Sequence, residues 1–507
     1  MNDPQTASIV CHRRFERASI DPRIFGGFAE HLGRCVYGGI YEPGHPTATP
    51  EGFRTDVLEM VKELDMPVMR YPGGNFVSGY RWEDGIGPKD RRPRRLDPAW
   101  KTIESNLFGI DEFMDWCRLV ETEPMVAVNL GTRGAEEARD LLEYCNHPSG
   151  TALSDLRRRN GHEDPHGVRL WCLGNEMDGP WQMGHKTAYE YGRVAAETAR
   201  LLSMVDPEVE LVACGSSGRS MPTFGSWETT VLGECYEQVD YLSLHTYYGN
   251  ADDDTPLFLS RSDDMSRFIR ETVALADGVA ATKRAKNRVD LSFDEWNVWF
   301  HSHDADAGRE PWTEAPPLLE DRYTAEDAVL VGSMLMTLLD HADRVKIACI
   351  AQTVNVIAPI MTRGDGPAWR QTIFHPFALT SRIARDAVVI EHRADCERYD
   401  AGDKTDIPYL SSVVLKRPSG DPVVFAVNRS LHVPMRLTIE VADADRIDVT
   451  RHTSVGHDDP KAVNTEANPD TVVPREISRV ASEGNRATVE LPPCSWNVVE
   501  LSASQSA

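Results

Sequence analysis

Two glutamates in this chain follow apolar runs that stop abruptly. Glu176 closes Arg169-Leu170-Trp171-Cys172-Leu173-Gly174-Asn175-Glu176, and Glu295 lies in Asp294-Glu295-Trp296-Asn297, directly after Val289-Asp290-Leu291-Ser292-Phe293. A carboxyl group that can give a proton and a carboxylate that can attack carbon are together the equipment for cleaving the acetal bond of a sugar. Most glutamates are solvated surface residues. Charged groups are rarely placed at the end of a buried run without partners, however, so Glu176 and Glu295 are read as a candidate catalytic pair.

Other polar residues occupy equivalent places. Apolar runs end at Glu30-His31, at Arg70-Tyr71-Pro72-Gly73-Gly74-Asn75, at His245-Thr246-Tyr247 and at Gln352. A sugar ring needs many buried donors and acceptors that each find a partner, and carboxylate, amide and imidazole groups supply them. Trp100, Trp181 and Trp299 add flat apolar faces for the carbon side of a sugar. On pattern alone Asn175 could instead cap the following segment, His245 could be a satisfied core histidine, and Tyr247 could be a packing aromatic.

All of these residues need strands to position them. From Ile24 to Asn355 eight short apolar runs alternate with longer amphipathic stretches: 24–30, 67–73, 125–131, 169–176, 210–216, 241–248, 288–297 and 345–355. Helices are expected between them at 51–64, 110–120, 135–145, 186–204, 226–236, 264–281 and 325–341. Repeated βα units with eight strands predict an α/β fold, a (β/α)8 TIM barrel, whose chemistry collects at the carboxyl ends of the strands. After about Asp386 the rhythm becomes period two, in runs at 409–416, 423–428, 435–441, 447–452 and 487–501, with 458–470 as a polar loop. This predicts a C-terminal antiparallel β-sandwich of jelly-roll-like form. Residues 8–17 alternate too, but are too few to stand alone, so they are expected to add a strand to it. The expected division is 18–385 for the barrel, and 1–17 with 386–507 for the sandwich.

The totals narrow the classes of function. At 507 residues the chain exceeds what one core usually serves, which fits a large domain plus a smaller one. A formal charge of −25 speaks against a nucleic-acid partner, since phosphate binding needs a basic surface. The basic cluster Arg91-Arg92-Pro93-Arg94-Arg95 reads as a solvated or substrate-edge loop. Ten cysteines without a Cys-x-x-Cys pair read as reduced thiols. No apolar run approaches the ~20 residues of a membrane span, and the start lacks a secretory pattern, so a cytoplasmic location is expected.

Two motifs are decoys. His162-Glu163-Asp164-Pro165-His166 matches the His-Glu-x-x-His string of zinc proteases, but that string works only on a helix, and Pro165 with Asn160-Gly161 predicts a loop. Gly73-Gly74 and Gly215-Ser216-Ser217-Gly218 have neither the P-loop lysine nor dinucleotide spacing, and read as sharp turns at the barrel rim.

Six blocks of the sequence, in order, closely resemble glycoside hydrolase family 51, the α-L-arabinofuranosidases. They are 25–41 (Phe25-Gly26-Gly27 to Gly39-Ile40-Tyr41), 70–76, Gly174-Asn175-Glu176-Met177-Asp178-Gly179-Pro180-Trp181-Gln182, 245–250, Asp294-Glu295-Trp296-Asn297-Val298-Trp299 and 351–359. The resemblance implies that Glu176 is the general acid/base and Glu295 the nucleophile. It also implies substrate hydrogen bonds from Glu30, Asn75, Asn175, Tyr247 and Gln352, places His245 in the site, and implies a homohexamer. Trp100 and Trp299 complete the expected substrate-binding set. The expected reaction removes terminal α-L-arabinofuranosyl units from arabinan or arabinoxylan fragments with retention, and involves neither a cofactor nor a metal. Retention requires carboxyl groups roughly 5–5.5 Å apart, inversion roughly 6.5–9.5 Å. The alternatives are another retaining barrel glycosidase, such as a β-xylosidase or endoglucanase, and a non-catalytic carbohydrate-binding protein.

Overall fold

In the computed structural model, which describes residues 4–504, eight parallel strands close into a barrel. In chain order they are Gly26–Phe28, Val68–Tyr71, Glu123–Ala127, Leu170–Leu173, Glu210–Ala213, Tyr241–Tyr248, Asp290–Val298 and Val345–Ile350. They are numbered strands one to eight below. Each overlaps one of the eight apolar runs; Glu123–Ala127 begins two residues before its run and Asp290–Val298 ends one residue after its own. Strand four, Leu-Trp-Cys-Leu, is buried throughout, as a strand covered by helices on one face and barrel interior on the other must be.

Each strand is followed by a helix: Thr55–Leu64, Ile110–Val120, Ala135–Asn146, Ala188–Val205, Ser226–Cys235, Arg261–Lys283, Ala325–Asp340 and Phe374–Ala384. Local chemistry fixes where they begin. The helix expected from Lys186 starts at Ala188, because the Thr187 side chain caps Glu190 N while Glu190 accepts from Thr187 N at 3.0 Å. Thr324 and Asp327 form the same reciprocal cap on Ala325–Asp340. The eighth helix, Phe374–Ala384, and a short one at Ala152–Arg159 were not expected from the sequence. The His162–His166 stretch is a non-helical loop, as its proline requires.

The second domain is a ten-stranded sheet. Its N-terminal strand, Gln5–Ser19, pairs antiparallel with Val388–Cys396 and parallel with Met435–Val441, so one parallel pair sits in an otherwise antiparallel sheet. The run expected at 487–501 is two strands, Arg486–Leu491 and Ser495–Ser504, because Pro492-Pro493 cannot carry a ladder. Ile9, Ile390, Val414, Leu437 and Leu501 belong to the sheet's own core. Its other face, with Phe425 and Trp496, joins the barrel core. The expected division of the chain extends to residues 1–3 and 505–507, which lie outside the described residues.

All ten cysteines are free thiols. Among the described residues no helix is long and apolar enough to cross a membrane.

Candidate active site

Strand four is followed by Gly174, whose φ of 92° lies in the left-handed region that glycine adopts without steric cost. Two residues later Glu176 is held at φ 44°. For a side-chain-bearing residue that costs about 1–3 kcal/mol and persists only where contacts overdetermine it. Those contacts grip both carboxylate oxygens. Oε1 meets His245 Nδ1 at 2.9 Å, and Oε2 accepts from the Trp181 indole at 2.8 Å.

Strand seven delivers the second carboxylate. Its pairing is irregular between Ser292 and Glu295 on the strand-six side, and between Phe293 and Trp296 on the strand-eight side. Regular alternation would send Asp294 and Glu295 to opposite faces; the irregularity re-aims them. Both reach Arg70 of strand two, whose Nη1 donates to Glu295 Oε1 at 2.7 Å and whose Nε lies 3.7 Å from Asp294 Oδ2. Arg70 Nη2 donates to Asn175 Oδ1 at 2.7 Å, which ties strand four into the same network. The Tyr247 hydroxyl donates to the other oxygen of Glu295 at 2.8 Å.

His245 stands between the two carboxylates. Burial works against its charge, yet Glu295, Asp294 and Glu176 together push it up to about 10. As a cation it donates from both nitrogens, Nδ1 to Glu176 and Nε2 to Asp294 Oδ1 at 3.1 Å. Burial would raise Asp294, but Arg70, His245 and the Ser243 hydroxyl hold its carboxyl below the usual range. One ligand atom each from Glu176, His245 and Glu295 lies within 4.8 Å of the others. In that arrangement the imidazole lies within reach of both glutamates, 2.9 Å from Glu176 and 3.5 Å from Glu295, where a proton can be shared.

Glu30, at the end of strand one, accepts from Phe76 N, the Trp100 indole and Gln352 Nε2, each at 3.0 Å. Burial, with the charge of Glu295, pushes it up to about 8. A Cβ on Gly74 would lie 2.5 Å from Glu30 Oε2, so glycine is required for the loop to pass this close.

The carboxylates open into a cleft of about 640 Å³ at the carboxyl ends of the strands. Glu30, Asn75, Trp100, Tyr247, Trp299 and Gln352 line it beside Glu176 and Glu295, and so does Trp181. Asn175 and His245 lie beneath the wall, 1% and 2% exposed, and reach the cleft through the groups they hold. The sequence placed Arg70 at the end of an apolar run but gave it no role, and it did not single out Asp294 or Ser243 for the site. A charge inside an apolar run was the available signal for Arg70.

Models of the α-L-arabinofuranosidase 1 domain and of the α-L-arabinofuranosidase C-terminal domain match residues 60–267 and 294–495. An intracellular exo-α-(1→5)-L-arabinofuranosidase of Halalkalibacterium halodurans is 54% identical, over 98% of this chain and 99% of that protein. The chain belongs to the family 51 α-L-arabinofuranosidases. An exo-α-(1→6)-L-arabinofuranosidase of Bifidobacterium longum is 47% identical to this arabinofuranosidase, over 98% of this chain and 97% of that one. The structure of a family 51 α-L-arabinofuranosidase from Bifidobacterium longum superposes with a TM-score of 0.94, at 45% identity, covering 98% of this chain and all of that one. This arabinofuranosidase is therefore a glycoside hydrolase, and the alternatives of a different barrel glycosidase or a non-catalytic binding protein fall away.

Proposed function

We propose that this enzyme removes non-reducing terminal α-L-arabinofuranosyl units from arabino-oligosaccharides with retention, with Glu295 as nucleophile and Glu176 as acid/base. The observation that carries this reading is the approach of the two carboxylates. Oxygens of Glu176 and Glu295 lie within 4.8 Å, close to the separation retention requires and short of the gap that must admit a water for inversion.

In the first step Glu295, oriented by Arg70 and Tyr247, attacks the anomeric carbon. The bond to the leaving oxygen breaks as Glu176 gives that oxygen a proton, and a glycosyl ester forms on Glu295. His245 supports both roles: it shares a proton with Glu176 and places positive charge beside Glu295. In the second step Glu176 takes a proton from water, the water oxygen attacks the anomeric carbon, and Glu295 departs as carboxylate.

Glu30, Asn75, Asn175, His245, Tyr247, Gln352, Trp100 and Trp299 are assigned to substrate binding, Asn175 and His245 through the groups they hold. Exo action is supported by two loops tied together beyond Glu30. Arg309 Nη2 and Trp312 N donate to Trp100 O and Lys101 O, each at 2.6 Å, and Ile103 N donates to Thr313 O at 3.1 Å. That strap carries Trp100, which lines the cleft, and is read as closing the end beyond the terminal sugar. The named relatives are called exo-α-(1→5)- and exo-α-(1→6)-L-arabinofuranosidases; we assign this enzyme to 1→5-linked arabinan fragments, or to arabinoxylan fragments that carry arabinose on xylose.

Of the expected division into 18–385 and 1–17 with 386–507, the first boundary is moved to 19, because strand Gln5–Ser19 pairs with the sheet domain as far as Ser19 with Val388. A cytoplasmic location is supported by the ten free thiols and by relatives named intracellular, and a homohexamer by the family resemblance. A leaving-group series tests the assignment. Glu176→Ala should cut turnover of arabinobiose by about 10³-fold or more, against far less for a dinitrophenyl arabinofuranoside that departs without a proton. Equal losses on both would remove Glu176 from the acid role.

A further inference from the structure

On the reading just given, the terminal sugar lies among Glu30, Asn75 and Gln352, the side chains of strands one, two and eight. The leaving group must then run past Glu176 of strand four. In the closed strand order, strand five follows strand four and stands opposite strand one. The cleft wall there is the turn Ser217-Gly218-Arg219-Ser220 after strand five, with Tyr248 and Asp264 beside it. A cleft of about 640 Å³ has room for more than one furanose ring, so this wall faces further substrate.

The turn is fastened at both ends. Asp178, two residues beyond Glu176, accepts from Ser217 N at 3.0 Å and from the Ser217 hydroxyl at 3.2 Å. Met221 N closes the turn on Gly218 O at 3.1 Å. Arg219 is gripped from helix Arg261–Lys283: its Nε and Nη2 donate to the two oxygens of Glu271 at 2.7 and 2.9 Å. This two-pronged grip holds the guanidinium plane still and leaves Nη1 for a ligand oxygen. The charges of the wall are matched, since Asp264 pairs with Lys404 at 2.7 Å and Arg261 at 3.2 Å, as Arg219 does with Glu271. A neutral polyhydroxyl ligand suits such a wall better than a charged one.

We infer that Arg219, set in place by Glu271, is a specificity-determining residue for the leaving group, donating a hydrogen bond to a hydroxyl of a neutral sugar bound next to the scissile bond. Asp178 is a positioning residue that couples this wall to the Glu176 loop.

The test compares two substrates on the intact enzyme, (1→5)-linked arabinotriose and α-L-arabinofuranosyl fluoride, whose leaving group carries no hydroxyl. Arg219→Ala should lower the ratio of kcat/KM for arabinotriose to kcat/KM for the fluoride by about tenfold, mainly through KM, the size of one charge-assisted hydrogen bond. Glu271→Gln, which only loosens the guanidinium, should move the ratio the same way by about threefold, and Arg219→Lys should restore part of it. An unchanged ratio in folded Arg219→Ala, whether both rates fall equally or neither falls, would overturn the inference. Wild-type enzyme that fails to hydrolyse the fluoride would overturn the proposed function on which it rests.

Discussion

Glu295 receives Arg70 on one oxygen and Tyr247 on the other, and if it is the nucleophile proposed above, two donors give it one direction of attack. Glu295→Ala should therefore lower turnover of aryl arabinofuranosides by more than about 10⁴-fold. Added azide should restore a rate and yield the arabinofuranosyl azide of inverted configuration, seen by NMR. Azide product of retained configuration would point to a different nucleophile. His245 makes a pH prediction. Its ordinary value is 6.5 and the folded site pushes it up to about 10, so between these values the folded enzyme holds a proton that the unfolded chain has lost. The stability this supplies is complete below about 6.5 and drains away as pH rises through about 10. The melting temperature of wild type should fall more between pH 7 and 10 than that of His245→Gln, by calorimetry. Parallel curves would deny His245 its charge. Glu176 and Glu295 were legible because each ends an apolar run. Arg70 was not, because its partners Glu295 and Asn175 lie 225 and 105 residues away, and periodicity carries no trace of such pairing.

Elements were legible to the extent that burial writes a pattern. The eight runs became eight strands because a strand covered on both faces must be apolar throughout, and helices one to six were marked by amphipathic spacing between the runs. Local chemistry that departs from pattern was harder to see. The irregular pairing at Ser292–Glu295 sets the aim of the Glu295 side chain, yet it is a property of three strands together. Phe374–Ala384 is buried along much of its length and lacks the polar face that announces a helix. Helix Ala325–Asp340, expected at 325–341 from its length and place between two runs, is buried nearly all round between barrel and sheet. Its Gly332 lies under Trp496, where a Cβ would come within 2.3 Å of the indole Cδ1. Gly332→Ala should cost about 1–3 kcal/mol and lower the melting temperature by several degrees, with kcat at 25 °C retained. An unchanged melting temperature would show that the two domains do not press on each other there.

At the scale of the whole molecule, the sheet domain does more than cap one end. Arg429 of the sheet is fully buried and reaches Asp263 at 2.8 Å in the helix after strand six, while Glu326, buried in the shared helix, accepts from Asn250 at 3.0 Å and Thr255 at 2.7 Å and meets Lys461 at 2.7 Å. The barrel needs this cover because its seventh helix is too apolar to face water. What the fold achieves with its 507 residues is the convergence of side chains from at or beyond the ends of strands one, two and four to eight on one cleft. Its central consequence is stereochemical. If Glu176 and Glu295 act as a retaining pair, NMR of the wild-type enzyme digesting (1→5)-linked arabinotriose in dilute methanol should show methyl α-L-arabinofuranoside as the transfer product and α-L-arabinofuranose as the first-formed sugar. First appearance of the β-anomer, with no methyl glycoside, would contradict the account.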